Sequence, residues 1–105
     1  MPLDEIGRQI RSGALVDGRK VVDTAATSEA LSSSSIDAQW LIITAETNNT
    51  GVMAVGASTV IAAEATRRGI PLYAGESITL YQVDLANVYL DTTVSGDGVT
   101  FIYKT

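Results

Sequence analysis

Residues 67–81, RRGIPLYAGESITLY, indicate an all-β fold. Pro71 fixes its backbone φ angle and lacks an N–H donor, so it suits an edge strand or a corner. Gly69 and Gly75, on either side of it, permit a tight backbone. From residue 77 to residue 81, polar and apolar side chains alternate, which is the pattern of a half-buried strand. The stretch is therefore predicted to be a corner that leads into a strand.

Short β-rich segments separated by turn residues continue in both directions from this corner. Six of them are residues 19–27, 38–47, 52–56, 76–81, 87–93 and 99–105. In the ambiguous segment 56–69, Val60 and Ile61 fit a short strand at least as well as a helical turn. About seven strands in roughly 85 residues, with no βαβ pattern, predict an all-β fold, a single antiparallel β-sandwich or jelly-roll-like domain. Residues 40–43, WLII, are apolar on both faces. This run indicates a central strand, or a strand whose outer face is covered by a partner chain.

Alternation and turn chemistry predict further details of the β-domain. In residues 77–82, Ile78, Leu80 and Gln82 are expected on one side of the sheet, with the intervening side chains on the other. Residues 95–98, SGDG, offer one carboxylate, too few for a calcium loop, and are predicted to be a hairpin turn. Residues 48–50, NNT, are predicted to be a loop between strands.

The first residues of the chain follow a different pattern. Leu3, Ile6 and Ile10 are spaced as on one face of a helix, and Gly13 is a plausible helix end. We therefore predict an N-terminal arm or short helix in residues 1–18 and one β-sandwich domain in residues 19–105. A helix this short needs a surface to pack on, either its own domain or a neighbouring subunit. The sequence leaves both alternatives open.

The composition excludes several classes of function. There is no cysteine and no histidine among the 105 residues, which removes thiolate nucleophiles, the Ser-His-Asp relay and the usual zinc ligands. A net charge of −5 argues against a surface that binds nucleic acid. No apolar run approaches the length of a membrane helix. We expect no enzyme activity, no cofactor, no metal site, no nucleic acid partner and no membrane insertion.

The order of the motifs over residues 20–104 is more specific than any single motif. A serine-rich turn is followed by an N-T-G turn, a corner with the pattern G-I-P-L-x-x-G-E-S-I, a D-L-x-x-V-Y-L-D segment and a final G-D-G-V-x-F segment. The positions that match are Gly69, Ile70, Pro71, Leu72, Gly75, Glu76, Asp84, Leu85, Val88, Tyr89 and Leu90. In this order the chain resembles small β-sandwich virion structural proteins of tailed bacteriophages, of the capsid decoration (cement) or head-fibre type.

The resemblance implies a noncatalytic capsid decoration protein that binds and stabilises the capsid lattice. Its implied partner is the major capsid protein, and its implied location is the capsid surface of the virion, after synthesis in the host cytoplasm. Self-association, for example as a homotrimer, would cover the edge strands of a small sandwich. The alternative is a tail, baseplate or head-fibre module that recognises another virion protein or a host-surface glycan.

Candidate interface residues are of three kinds. Two apolar residues lie in the N-terminal segment, two adjacent arginines precede the corner, and four aromatic residues could anchor an interface. They are Ile6, Ile10, Arg67, Arg68, Trp40, Tyr73, Tyr81 and Tyr89.

Overall fold

The computed structural model describes residues 13–105, which form two antiparallel β-sheets. The strands are β1 (Leu15–Val21), β2 (Glu29–Ala30), β3 (Asp37–Ala45), β4 (Met53–Gly56), β5 (Ile70–Leu72), β6 (Ser77–Asp84), β7 (Tyr89–Thr92) and β8 (Gly98–Lys104). Short 3-10 turns lie at Glu64–Thr66 and Leu85–Asn87. β1 begins inside the segment that was predicted as an arm. Residues 1–12, with Ile6 and Ile10, lie outside the described residues.

The strands pair as nested antiparallel partners along the chain. β1 pairs with β8, β2 with β7, β3 with β6, and β4 with β5. Two further pairings, β3 with β8 and β4 with β7, complete the sheets. Sheet I has the order β1-β8-β3-β6, and sheet II has the order β2-β7-β4-β5. This arrangement of eight strands is a jelly roll, so the predicted all-β sandwich is confirmed.

The hydrophobic core lies between the two sheets. Leu41 and Ile43 of sheet I belong to the same buried cluster as Met53 and Leu90 of sheet II, and none of the four is exposed. Burial of such side chains contributes about 1.5–3 kcal/mol each before the entropy of folding is subtracted. The core thus fixes which face of each strand points inward.

β6 confirms most of the predicted alternation. Ile78 and Leu80 pack against the core, whereas the residues beside them in the sequence are exposed. Gln82 does not continue this pattern, because it is exposed and has a φ angle of 55°. The next residue to pack against the core is Val83. The strand therefore changes face between Leu80 and Val83.

The predicted hairpin turn at residues 95–98 is wrong. β7 and β8, on either side of it, belong to different sheets, so this segment crosses from sheet II to sheet I. Asp97 is buried, and its carboxylate accepts hydrogen bonds from the N–H groups of Thr50 at 3.2 Å and Gly51 at 2.8 Å. Asp97 therefore holds the loop that contains the NNT motif in place. The SGDG residues form a turn within the crossover between the two sheets, not within a hairpin.

The predicted corner is confirmed. In the described part of the chain β5 pairs only with β4, so Pro71 lies in an edge strand, where its missing N–H is tolerated. Gly69 and Gly75 have φ angles of 103° and 84°, which glycine adopts without steric strain. The chain then passes from β5 in sheet II to β6 in sheet I.

Candidate interaction surface

Apolar side chains occupy part of the outer face of sheet I. In β3, Leu41 faces the core, so Trp40 and Ile42 on either side of it face outward. The same alternation turns Ile102 of β8 and Tyr81 of β6 outward. With one residue of β1, these side chains form the apolar strip, which consists of Leu15, Trp40, Ile42, Tyr81 and Ile102.

The strand register makes the middle of the strip continuous. Trp40 lies directly opposite Tyr81 of β6 on one side and opposite Lys104 of β8 on the other. Ile42 lies opposite Ile102. Directly opposed residues have Cβ atoms about 4.5–5.5 Å apart, so their side chains interact across the sheet. The indole of Trp40 is thus placed between a phenol ring and an aliphatic side chain that ends in an ammonium group.

The exposure of the strip is uneven. Tyr81 is 70% exposed and Leu15 is 62% exposed, whereas Trp40, Ile42 and Ile102 are half-buried. None of these five side chains belongs to either of the buried clusters formed by residues 13–105. The strip is therefore apolar surface that the described part of the protein does not use for its own core.

The other end of this face is polar. The guanidinium of Arg19 donates to both carboxylate oxygens of Glu46, and the bond to Oε1 is 3.1 Å long. This hydrogen bond lowers the pKa of Glu46. The hydroxyl oxygens of Thr44 and Ser77 are 2.6 Å apart. A shallow depression of about 280 Å³ lies beside the ion pair. One face of sheet I thus carries an apolar end and a polar end.

A second depression, of about 530 Å³, lies where β6 changes face, beside the start of β3. Its polar lining residues are Asp37, Gln39, Gln82, Asp84 and Asn87. The carboxylate of Asp84 accepts hydrogen bonds from the hydroxyl of Ser35 and from the N–H groups of Ile36 and Ala86, both at 2.9 Å. These bonds, that from Ser35 foremost, lower the pKa of Asp84. Across residues 13–105, no group of three or more metal-ligating side chains could hold an ion.

The outer face of sheet II is covered by the protein itself. Residues 57–69, which we call the cover loop, connect β4 to β5 and place Val60 and Ala62 over Ala54. All three are buried, and Tyr89 packs against them. Tyr89 is therefore part of an internal contact.

Asp91 of β7 holds the cover loop against sheet II through a hydrogen bond. It is 2% exposed, and its Oδ2 accepts a hydrogen bond from the N–H of Ala62 at 2.8 Å. Its other carboxylate oxygen has no hydrogen-bond partner among residues 13–105. Burial of a carboxylate is unfavourable unless it is hydrogen-bonded, so the bond to Ala62 is important for keeping the loop in place.

The two arginines and Tyr73 lie away from the apolar strip, at the sheet II side of the corner. The Nε of Arg67 donates to the carbonyl of Ala62 at 3.0 Å, so this side chain holds the end of the cover loop. Arg68 is exposed, and its backbone pairs with Ile61. Tyr73 is 54% exposed in the turn before β6.

Six of the eight predicted interface residues lie within residues 13–105, and among these six the sheet register places only Trp40 and Tyr81 side by side on one face. The sequence reasoning missed Leu15, Ile42 and Ile102. A signal for Ile42 was present, because the WLII run is apolar on both faces. Nothing local marked the other two, since their positions beside β3 depend on pairing between distant parts of the chain.

No helix within residues 13–105 is long and apolar enough to cross a membrane. Comparison with protein-family models, curated proteins and solved structures finds no match for this chain. The apolar strip and the fold that presents it are therefore the observations from which a function can be argued.

Proposed function

We propose that this protein is a noncatalytic virion structural protein of a tailed bacteriophage, a capsid decoration protein that binds the major capsid protein. The observation that carries the proposal is the apolar strip on the outer face of sheet I, with Tyr81 and Leu15 open to solvent. The order of motifs that resembles phage virion proteins supports the phage context. Jelly rolls are common among viral capsid proteins, which is consistent with this role.

The residue types of the strip and its position on a sheet suit a contact with the capsid. The register places Trp40 beside Tyr81 and Ile42 beside Ile102, and an exposed tyrosine beside a tryptophan is a typical interface anchor. A sheet face presents these side chains on strands, so they lose little conformational freedom on binding. Many copies on one lattice stabilise the particle by the sum of modest contacts. The strip is the surface that we assign to the capsid contact.

A glycan-binding module of a tail or head fibre is the second candidate. Trp40 and Tyr81 are neighbours on an open face, and Lys104 beside them offers a hydrogen-bond donor. Aromatic rings next to polar groups can stack on sugar rings, and jelly rolls also occur in lectins. Binding on a glycan array that is lost when Tyr81 is replaced would favour this candidate over the capsid contact.

A direct binding assay tests the capsid contact. Purified capsids that lack the protein are mixed with the wild-type chain or with the variants Tyr81→Lys and Tyr73→Lys, and the bound fraction is measured by co-sedimentation. We expect Tyr81→Lys to weaken binding by at least about tenfold, because it replaces an exposed aromatic anchor of the strip with a charge. Tyr73→Lys, an exposed tyrosine elsewhere, should bind like the wild type. Equal binding of all three chains would contradict the proposal.

The copy number in purified phage particles tests the location. Quantitative mass spectrometry against the major capsid protein should give a ratio of about one, as expected for a lattice-wide contact. A ratio of a few per hundred would assign the chain to a vertex, fibre or tail. Absence from the particles would discard the virion role.

A further inference from the structure

The free edges of the two sheets differ in how they are protected against pairing. β2 is only two residues long, and β5 has three residues and contains Pro71. β1 carries Asp17, Arg19 and Lys20. Short length, proline and charge are the usual means by which edge strands avoid other strands. Of the four sheet edges formed by residues 13–105, three are therefore protected.

β6 is the exception. It is eight residues long, contains no proline, and has no charged side chain before Asp84 at its end. Within residues 13–105, only β3 pairs with it. A long, uncharged edge of this kind is a template for the addition of a strand.

The hydrogen bonds of β3 show which backbone groups of β6 point away from β3. The N–H of Ala45 donates to the carbonyl of Glu76 at 2.9 Å, and the N–H of Glu46 donates to Gly98 of the β8 side at 3.0 Å. Successive residues of an antiparallel strand direct their backbone groups to opposite sides. Alternation from Glu76 therefore directs the backbone groups of residues 77, 79 and 81 away from β3. Among residues 13–105 these groups have no strand partner, and they form a regular edge.

We propose that β6 pairs antiparallel with β6 of a second copy, about a twofold axis that passes beside Thr79. In this register Thr79 faces itself, Ser77 faces Tyr81 of the second copy, and Ile78 faces Leu80. About six backbone hydrogen bonds form, because the free groups of residues 77, 79 and 81 each find a partner. The two copies of sheet I become one eight-stranded sheet. Their apolar strips remain exposed on the same face.

A second copy fits this edge because the register avoids charge repulsion. The protein carries a net charge of −5, so two copies repel each other overall, and a contact that also opposed carboxylates would be disfavoured further. About the Thr79 axis, Glu76 faces the uncharged Gln82, and Asp84 lies beyond the paired segment. Ile78 and Leu80, which are half-buried in one copy, cover each other. The positive φ of Gln82 ends the regular pairing at that point.

Sedimentation velocity of the full chain over a range of concentrations tests the pairing. We expect a monomer–dimer equilibrium. The variant Thr79→Lys places two like charges opposite each other at the axis, and we expect it to raise the dimer Kd by at least about tenfold. The matched control is Thr100→Lys, which alters an exposed threonine on the same face of sheet I but in the interior strand β8. Equal thermal midpoints would show that both variants fold.

Disulfide trapping tests the register independently, since the chain contains no cysteine. Thr79 and its copy would have Cα atoms about 5.5 Å apart, a separation that a disulfide can span. Oxidation of Thr79→Cys should therefore give a covalent dimer, whereas Thr100→Cys should stay monomeric. A wild-type chain that is monomeric throughout, a threefold mass, or a Thr79→Lys variant that dimerises like the wild type would each overturn the proposal.

Discussion

The two sheets differ in whether residues 13–105 cover their outer faces. On sheet II, the cover loop buries Ala54, and Asp91 holds the loop through Ala62. On sheet I, the apolar strip lies outside the buried clusters of residues 13–105, and its ends at Tyr81 and Leu15 are exposed. The cover loop is a structural device that completes the fold, whereas the strip adds nothing to the core. This difference is the physical basis for assigning binding to sheet I.

The largest expected effect comes from placing the same charge on each face. Ala54→Glu would put a second carboxylate under the cover loop, directly opposite the buried Asp91, and should destabilise the fold by about 4 kcal/mol or more. Ile102→Glu on sheet I should lower the free energy of unfolding by only about 1 kcal/mol, because the new carboxylate lies opposite Asp17 but can reach water. Urea denaturation of both variants measures the contrast. Similar losses would show that the two faces are equally buried.

A smaller effect is expected from the glycine that closes the cover loop. Gly69 has a positive φ, and a Cβ there would lie 2.6 Å from the carbonyl oxygen of Val55. We expect Gly69→Ala to lower the free energy of unfolding by about 3 kcal/mol, since backbone strain and a steric clash add together.

Gly96→Ala is the matched control for that substitution. Gly96 has a φ of 93°, but no atom beyond its two chain neighbours lies within 4 Å of the added Cβ, so only the backbone strain of about 1 kcal/mol applies. Thermal unfolding of the two variants separates strain from clash. If Gly69→Ala were as stable as Gly96→Ala, the cover loop would not be packed tightly on sheet II.

Some features of the two sheets could be predicted from the sequence, and others could not. The alternation of residues 77–81 and the edge position of Pro71 are local properties, and the structure confirms both, whereas Gln82 departs from the predicted alternation. The two-residue strand β2 left no local signal, because so short a segment has no periodicity. The SGDG turn was misassigned as a hairpin, because turn chemistry sets the backbone angles and not the sheet to which the next strand belongs.

The candidate surface was harder to predict than the fold. Trp40 and Tyr81 were selected as aromatic residues, and they prove to be neighbours. Tyr89 was selected on the same grounds, yet it packs under the cover loop. Which aromatic residue is exposed depends on the pairing of strands far apart in the chain, such as Leu15 with Lys104. Residue type alone does not carry that information.

The smallest expected effects concern the carboxylates that hold the two ends of sheet I. Hydrogen bonds lower the pKa of Asp84 below its usual value of 3.8, so the folded state favours the ionised form. This contribution is fully present above pH 3.8 and is lost as the pH falls through the lower folded-state pKa. The difference in the free energy of unfolding between wild type and Asp84→Asn should therefore shrink upon acidification. A difference that grows in acid would contradict the assignment.

Added salt should affect the contacts of Glu46 and of Asp84, which lie at opposite ends of sheet I, to different extents. Glu46 is paired with the exposed Arg19, and attraction between such charges is screened by salt. Asp84 accepts its bonds from a hydroxyl and two backbone N–H groups, which carry no net charge. The loss of stability in Glu46→Gln should thus decrease with added sodium chloride, whereas the loss in Asp84→Asn should change little. Equal salt dependence would mean that both ends rely on the field of the whole acidic protein rather than on these individual contacts.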